Sequence, residues 1–397
     1  MAVRFDAQRW RKRPGMAKLL DALGANEGLS RYVGGAVRDE LLGLQGSDVD
    51  LATRLHPQEV VRRLEAAGIK AVPTGIEHGT ITAVSKSQVV EVTTLRRDVS
   101  TDGRRATVAF TDDWKEDAAR RDFTINALSA DPLSGEIFDY FGGLADLETR
   151  TVRFIGDPLQ RIAEDHLRIL RFFRFHARFG GGSPDQAALD ACTRRANDLM
   201  ALSRERIADE LLKLLGLPDP AATVALMLNQ GILKPVLPEI GPDAVARLSA
   251  LIAAEKEAGI AAHPLRHLAA LLPRDPTTVE KVAARLKLSN AARKRLANAA
   301  STAESGAQAL AYRLGIETAV DRLLMSGNAR DAASIEGWPV PKLPISGGAL
   351  IKRGLTEGPV VARTLRAIED AWIAAGFPSG EAFEAIVAQA LASASNH

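Results

Sequence analysis

Cysteine is almost absent from the 397-residue sequence: Cys192 is the only one. An internal disulfide and a thiolate metal cluster are thereby excluded, which fits a reducing compartment, and Cys192 itself reads as a buried helix residue. Aromatic residues are scarce at 5%. No apolar run approaches the roughly 18 residues that a membrane span needs. The N-terminal stretch MAVRFDAQRWRKRPG has basic residues but no apolar segment behind them, so it does not read as a secretory signal. A cytoplasmic location with no membrane contact is expected. Strong net charge is also missing, at +2, but residues 151–180 hold six Arg against three acids, so positive charge is gathered locally. With 46% hydrophobic and 25% charged residues, the chain is an ordinary globular sequence, long enough for two or more domains.

The first third alternates β-rich and helical runs: strands at Ser30–Val33, Val49–Thr53, Thr80–Val84 and Val89–Thr94, helices at Ala36–Leu44 and Pro57–Ala67. Gly34-Gly35, Pro73-Thr74-Gly75 and Gly142-Gly143 mark turns. Arg96–Trp114, polar and without period, reads as a mobile loop. From about Asp157 onward the sequence is helical, rich in Ala, Leu and Arg, with no returning β alternation and no short repeat. The expected architecture is an α/β head at 1–150, a helical segment at 151–216 and a helical body and tail at 217–397.

Three groups of residues carry chemistry. Gly34-Gly35 runs from a strand into a helix, which exposes backbone N–H groups at a helix N-terminus and suits a phosphate, with Arg38 one turn in as a charge-assisted partner. Asp48 and Asp50 follow with strand alternation, placing both carboxylates on one face, where a cation is needed for both to ionise; beside a phosphate site, Mg²⁺ fits. Asp165, Arg168, Arg171 and Arg174 recur every three residues, while His166, Ile169, Leu170, Phe173 and Ala177 form a helical buried stripe. That row of polar side chains is presented, not packed. A carboxylate acceptor at Asp165 and a guanidinium donor at Arg168 can pair with the amine and ring nitrogen of cytosine or adenine, whereas guanine and uracil invert the order. Glu91 is open between a third acid and a structural role. His263-Pro-Leu-Arg-His267 has no ligand spacing, and no adjacent His-Asp pair of the phosphohydrolase type occurs.

The run GGAVRDELLGLQGSDVDL at 34–51, with RRDFTINAL at 120–128 and IGDPLQRIAEDHLRILRFFRF at 155–175, resembles the signature of the polymerase β nucleotidyltransferase superfamily in its class II branch, the bacterial-type CCA-adding enzymes and bacterial poly(A) polymerases. SRERIADELLKLL at 203–215 and ILKPVLPEI at 232–240 resemble that family's neck and body. The resemblance implies a nucleotidyltransferase head with a mixed sheet and flanking helices, followed by an elongated all-α part that binds tRNA. It implies CTP and ATP as substrates, Mg²⁺ held by Asp48 and Asp50, and phosphate or nucleotide contacts from Gly35, Arg38 and Arg121. Asp165, Arg168, Arg171 and Arg174 would form the nucleotide-reading face. Poly(A) polymerase, partial CC- or A-adding activity, and an inactive RNA-binding module of the same fold are the alternatives. The segment 343–372 resembles the family's tail, where Lys352, Arg353, Arg363 and Arg366 would hold tRNA phosphates or cap the last helices.

Overall fold

The computed structural model describes residues 5–44, 48–86, 88–102, 105–301, 306–356 and 358–394, with backbone alone at 98–102 and 105–108. It divides into two compact units: residues up to Leu214 with Ala222–Pro238, and Leu215–Ala221 with the remainder from Glu239.

The first unit begins with α1 (Ala7–Arg11) and α2 (Met16–Ala22), then β1 (Ser30–Val33), α3 (Gly35–Leu41), β2 (Asp50–Thr53), α4 (Pro57–Ala66), β3 (Lys70–Gly75), β4 (Thr80–Ser85) and β5 (Gln88–Thr94). A hairpin of β6 (Arg96–Asp102) and β7 (Arg105–Phe110) leads to α5 (Trp114–Ala119), β8 (Ser129–Ala130), β9 (Ile137–Phe138) and α6 (Gly143–Glu148). Seven strands form a mixed sheet in the order β3-β4-β5-β2-β1-β8-β9, as the resemblance implies. Only β2 and β5 run parallel; the other neighbours are antiparallel. Alternation decides which face is covered. Leu51, Ile81, Ala83, Val90 and Val92 are fully buried, and α2 and α4 pack on β4, while Glu91 and Asp50 point the other way.

Two sequence expectations are corrected here. Arg96–Trp114 is not a loop: Arg96–Phe110 is a two-stranded antiparallel hairpin paired from Arg96↔Phe110 to Asp102↔Arg105, with a register shift between Asp98 and Ser100, and Trp114 starts α5. Val99, Thr101, Thr107 and Val108 are the β-branched residues of the two strands, a strand signal that high polarity concealed. Gly103 and Arg104, at the centre of the expected loop, lie outside the described residues. Pro73-Thr74-Gly75 is likewise not a turn but the end of β3. This strand lies at the sheet's edge, where a residue lacking an N–H is tolerated, and its register shifts between Val72 and Gly75.

Four helices complete the segment that follows: α7 (Pro158–Glu164), α8 (Arg168–Phe179), α9 (Gln186–Arg194) and α10 (Arg204–Leu215). Asp157 caps α7 by accepting the Gln160 N–H at 2.9 Å, with Pro158 at the first helical position. The helix α8 buries Ile169, Leu170, Phe172, Phe173, Phe175 and Phe179, a wider stripe than sequence spacing suggested, with His166 and Ala177 only half-buried. Its phenylalanines join the head, with Phe123 centred 4.9 Å from Phe154 and 5.2 Å from Phe175. Cys192 is buried in α9.

The second unit is helical throughout its described residues. Its interior holds an ionic network. Glu255 accepts from Arg266 at 2.5 Å and from His267 at 2.8 Å, while Asp321 accepts from Arg266 at 2.8 Å and from Arg295 at 2.5 Å. Arg266, Glu255, Asp321 and His267 are all at most 4% exposed. The sequence His263-Pro-Leu-Arg-His267 is thus structural: His263 caps the helix Pro264–Leu271, and Arg266 and His267 enter the network. Arg266→Ala leaves Glu255 with only His267 opposite it and should destabilise this unit by about 3–5 kcal/mol. Chemical denaturation is the measurement, and an unchanged midpoint would contradict it. Near the C-terminus, Arg353 is ion-paired with Glu384 at 2.7 Å, so one of the expected phosphate contacts already has an acidic partner.

Candidate nucleotidyl-transfer site

The sheet brings Asp50 and Glu91 side by side, because β2 and β5 are parallel with Asp50 in register with Glu91. Asp48 precedes β2 instead of lying in it, but the alternation holds: Asp48 is exposed, Val49 buried and Asp50 half-buried. Burial, then the Glu91 and Asp48 charges, push the Asp50 carboxyl up to about 6, with Arg121 opposing them. Glu91, within β5, and Asp48 thus both act electrostatically on Asp50, the first residue of β2. Glu91, left open by the sequence, belongs to this group. Only a non-local strand register could have revealed it.

At the end of β1, Gly34 adopts φ +63°, and a Cβ there would come 2.7 Å from Arg121 Nη1. Arg121 therefore presses against the glycine turn, donating to the Asn126 carbonyl at 3.3 Å and pairing with Asp117 at 3.4 Å. Gly35 opens α3 as expected. Arg38 is placed differently from the sequence expectation of an open phosphate contact. It is 5% exposed, donates to the Asp39 carboxylate at 2.8 Å and to the Asn126 side-chain oxygen, and lies 4.1 Å from the Phe179 ring. Burial, partly offset by Asp39, lowers its pKa.

Asn126 was not singled out from the sequence, yet it joins the cradle to α8. Its amide donates to Asp122 at 3.0 Å, and Asp122 accepts Arg171 Nε at 2.8 Å. Burial works to raise the Asp122 pKa, but Arg171, Asn126 and the Phe123 N–H together hold it below the ordinary carboxylate value.

The expected polar face of α8 is also corrected in part. Asp165 is extended and precedes the helix, so only Arg168, Arg171 and Arg174 share it. Asp165 accepts the Leu167 N–H at 3.1 Å and Arg206 of α10 at 2.7 Å. Arg168 donates to Glu164 at 2.5 Å and to the Arg161 carbonyl at 2.7 Å; Arg174 donates to Glu210, which is 2% exposed. Glu164 ends α7 and Arg168 opens α8, so their pair spans the break at the extended Asp165. The partners from other elements, Arg206, Glu210 and Asp122, are not readable from sequence.

Hard carboxylate oxygens beside a glycine turn are the donor set that Mg²⁺ takes. Among the described residues no group of three His, Cys, Asp or Glu side chains is placed to hold a metal ion, and Mg²⁺ does not require three, since it is held by one or two carboxylates plus substrate phosphates.

Residues 30–153 match the Poly A polymerase head domain, and residues 183–243 match a probable RNA- and SrmB-binding site of polymerase A. The mouse protein named CCA tRNA nucleotidyltransferase 1, mitochondrial, is 35% identical over 383 residues, covering 91% of this chain and 87% of the relative. A CCA-adding enzyme of Streptococcus gordonii is 33% identical over 366 residues, covering 88% and 90%. In fold, the chain is similar to the Bacillus stearothermophilus CCA-adding enzyme in complex with CTP, with a TM-score of 0.69 at 23% identity over 97% of this chain and 100% of that one. It is equally similar to the Thermotoga maritima CCA-adding enzyme complexed with tRNA, at 0.69 and 21% identity over 99% and 100%. The glycine cradle, the paired carboxylates and a match along nearly the whole sequence converge: the chain belongs to the family of CCA tRNA nucleotidyltransferases, the CCA-adding enzymes.

Proposed function

We propose that this chain adds C, C and A to the 3′ end of tRNA from CTP and ATP, without a nucleic-acid template and with release of pyrophosphate. The observation that carries this is the parallel register of β2 and β5, which sets Asp50 beside Glu91 at the edge of the Gly34–Arg121 cradle. The relatives solved with CTP and with tRNA bind the corresponding ligands.

In this reading Asp48 and Asp50 hold Mg²⁺, which when bound activates the attacking hydroxyl and stabilises the leaving pyrophosphate. The Gly35 backbone and Arg121 orient the triphosphate. Arg38 supports the cradle from behind through Asn126 and reaches a phosphate only by exchanging one of its present bonds. Asp165 and Arg168 read the base with the acceptor and donor capacity left by Arg206 and Glu164, and Arg171 and Arg174 complete that face. Functionally the chain divides into the head at 1–150, a nucleotide-reading neck at 151–216, and a body and tail at 217–397 that bind tRNA. No described helix is long and apolar enough to cross a membrane, and the composition supports work in the cytoplasm.

The test is incubation of the purified protein with tRNA lacking its terminal CCA and each nucleotide in turn, followed by sequencing of the products. Addition of C, C and A that then stops supports the reading. A run of A residues would identify a poly(A) polymerase, and no addition an inactive RNA-binding module.

The hairpin β6–β7 sits on a fixed base: Arg96 donates to the His78 carbonyl at 2.5 Å, and Phe110 meets His56 edge-on at 5.4 Å. One pocket must accept first a pyrimidine and then a purine, and a hairpin hinged at such a base is suited to adjust it. Shortening the hairpin by residues 99–108 should reduce AMP addition at least tenfold more than CMP addition, leaving tRNA that ends in CC. An equal loss of both additions would show that the hairpin serves structure alone.

A further inference from the structure

A cleft of about 660 Å³ lies between the α1–α2 junction and the end of β4 at Val84–Lys86. Arg11, Lys12, Arg13, Lys18 and Lys86 line it, and no acidic residue does. Arg11 is paired with Asp21 at 2.8 Å, yet its Nη1 is buried without a hydrogen-bond partner. Arg13 lies 3.8 Å over the Trp10 ring, and like Lys12, Lys18 and Lys86 it forms no salt bridge among the described residues. Four unneutralised cations around one cleft, in a chain whose net charge is +2, are a local excess that an anion would relieve.

The cleft is distinct from the carboxylate site. Ser85, on its wall, shares its strand face with the buried Ile81 and Ala83, whereas Glu91 and Asp50 occupy the opposite face of the sheet. Its floor is fixed by a close approach. Gly15 has φ +81°, and a Cβ there would come 2.4 Å from Ser85 Oγ, so the helix junction and the end of β4 are keyed together.

We propose that this cleft is a second phosphate site, binding a compact oligophosphate group apart from the nucleotide being transferred. Its volume lies within the roughly 300–1,000 Å³ of small-ligand pockets. A terminal phosphate carries about two negative charges at neutral pH, so two or three linked phosphates match the free cations. The clustered phosphate oxygens come from a free oligophosphate or from the backbone of an RNA strand. Only the second source rests on the tRNA reading given above.

The experiment is calorimetric titration of the full-length protein with sodium tripolyphosphate, in EDTA and low salt, with tRNA affinity measured against salt in parallel. In Lys12→Glu/Lys18→Glu/Lys86→Glu the tripolyphosphate Kd should rise at least tenfold, while in Arg121→Gln, altered in the nucleotide cradle, it should stay within twofold of wild type. The three lysines are exposed, and kcat for CMP addition at saturating tRNA, within twofold of wild type, verifies the fold. The milder triple Gln variant should show a smaller rise in the same direction. If the phosphates are those of RNA, the Glu variant also loses tRNA affinity, its salt slope falls by about two to three, and tripolyphosphate competes with tRNA. If they belong to a free oligophosphate, tRNA affinity is retained. The proposal is overturned if the tripolyphosphate Kd is unchanged in the lysine variants, or if tripolyphosphate binding is lost in Arg121→Gln instead.

Discussion

Asp50→Ala is expected to reduce CMP and AMP incorporation alike by at least a thousandfold, while tRNA affinity stays within about threefold of wild type. Asp50 is the half-buried member of the acidic group, flanked by Glu91 in strand register and by Asp48 two residues upstream. Removing it takes away the carboxylate most committed to a cation and leaves the helical half untouched. The expected size follows from the chemistry: Mg²⁺ stabilises charge that develops only in the transition state, an effect worth several kcal/mol, and each 1.36 kcal/mol is a factor of ten in rate. Asp48→Ala should behave the same way, and EDTA should mimic both. Single-turnover incorporation from CTP, measured beside tRNA binding, is the check. Activity within threefold of wild type would remove both aspartates from the metal role, and a parallel loss of tRNA binding would make them structural.

Asp165→Ala, in contrast, should change which nucleotide is used more than how fast. Its carboxylate faces Arg206 and the Leu167 N–H, with a quarter of the side chain exposed, so it retains acceptor capacity for an exocyclic amine. Truncation removes that acceptor for cytosine and adenine and relieves the repulsion felt by the carbonyl of uracil or guanine. With each mismatched polar group worth about 1–3 kcal/mol, discrimination against UTP and GTP should fall roughly ten- to a hundredfold. The measurement is kcat/KM for all four nucleotides on tRNA lacking its terminal residues. A variant that slows uniformly and keeps wild-type ratios would mean that Asp165 positions the neck through Arg206 and does not read the base.

Local patterns were legible and long-range partners were not. Gly34-Gly35 opening a helix, Asp48 and Asp50 alternating, and the Ile169, Leu170 and Phe173 part of the buried stripe of α8 each rest on residues close in sequence, where period and turn chemistry decide the outcome. Glu91 joined the site through a parallel pairing with residues 41 positions earlier, and no local signal fixes such a register. The same holds for Arg174 with Glu210 and for the Arg38, Asn126, Asp122 and Arg171 chain. Arg38 looked like an open phosphate ligand because sequence shows a charge but not the Phe179 ring and Asp39 carboxylate that cover it. The hairpin was a different failure, in which charged residues outweighed the β-branched Val99, Thr101, Thr107 and Val108 of its strands.

Both borders of the head sheet are poor templates for a foreign strand. On one side β9 is two residues long; on the other β3 carries Pro73, which offers no N–H, and a register irregularity beside it. All strands of the sheet lie within the first 138 residues, so during synthesis the sheet can close while most of the helical half is still being made. A nascent head left waiting on the ribosome then presents little to which a neighbouring chain could add, and this favours solubility at the stage when crowding between unfinished chains is greatest.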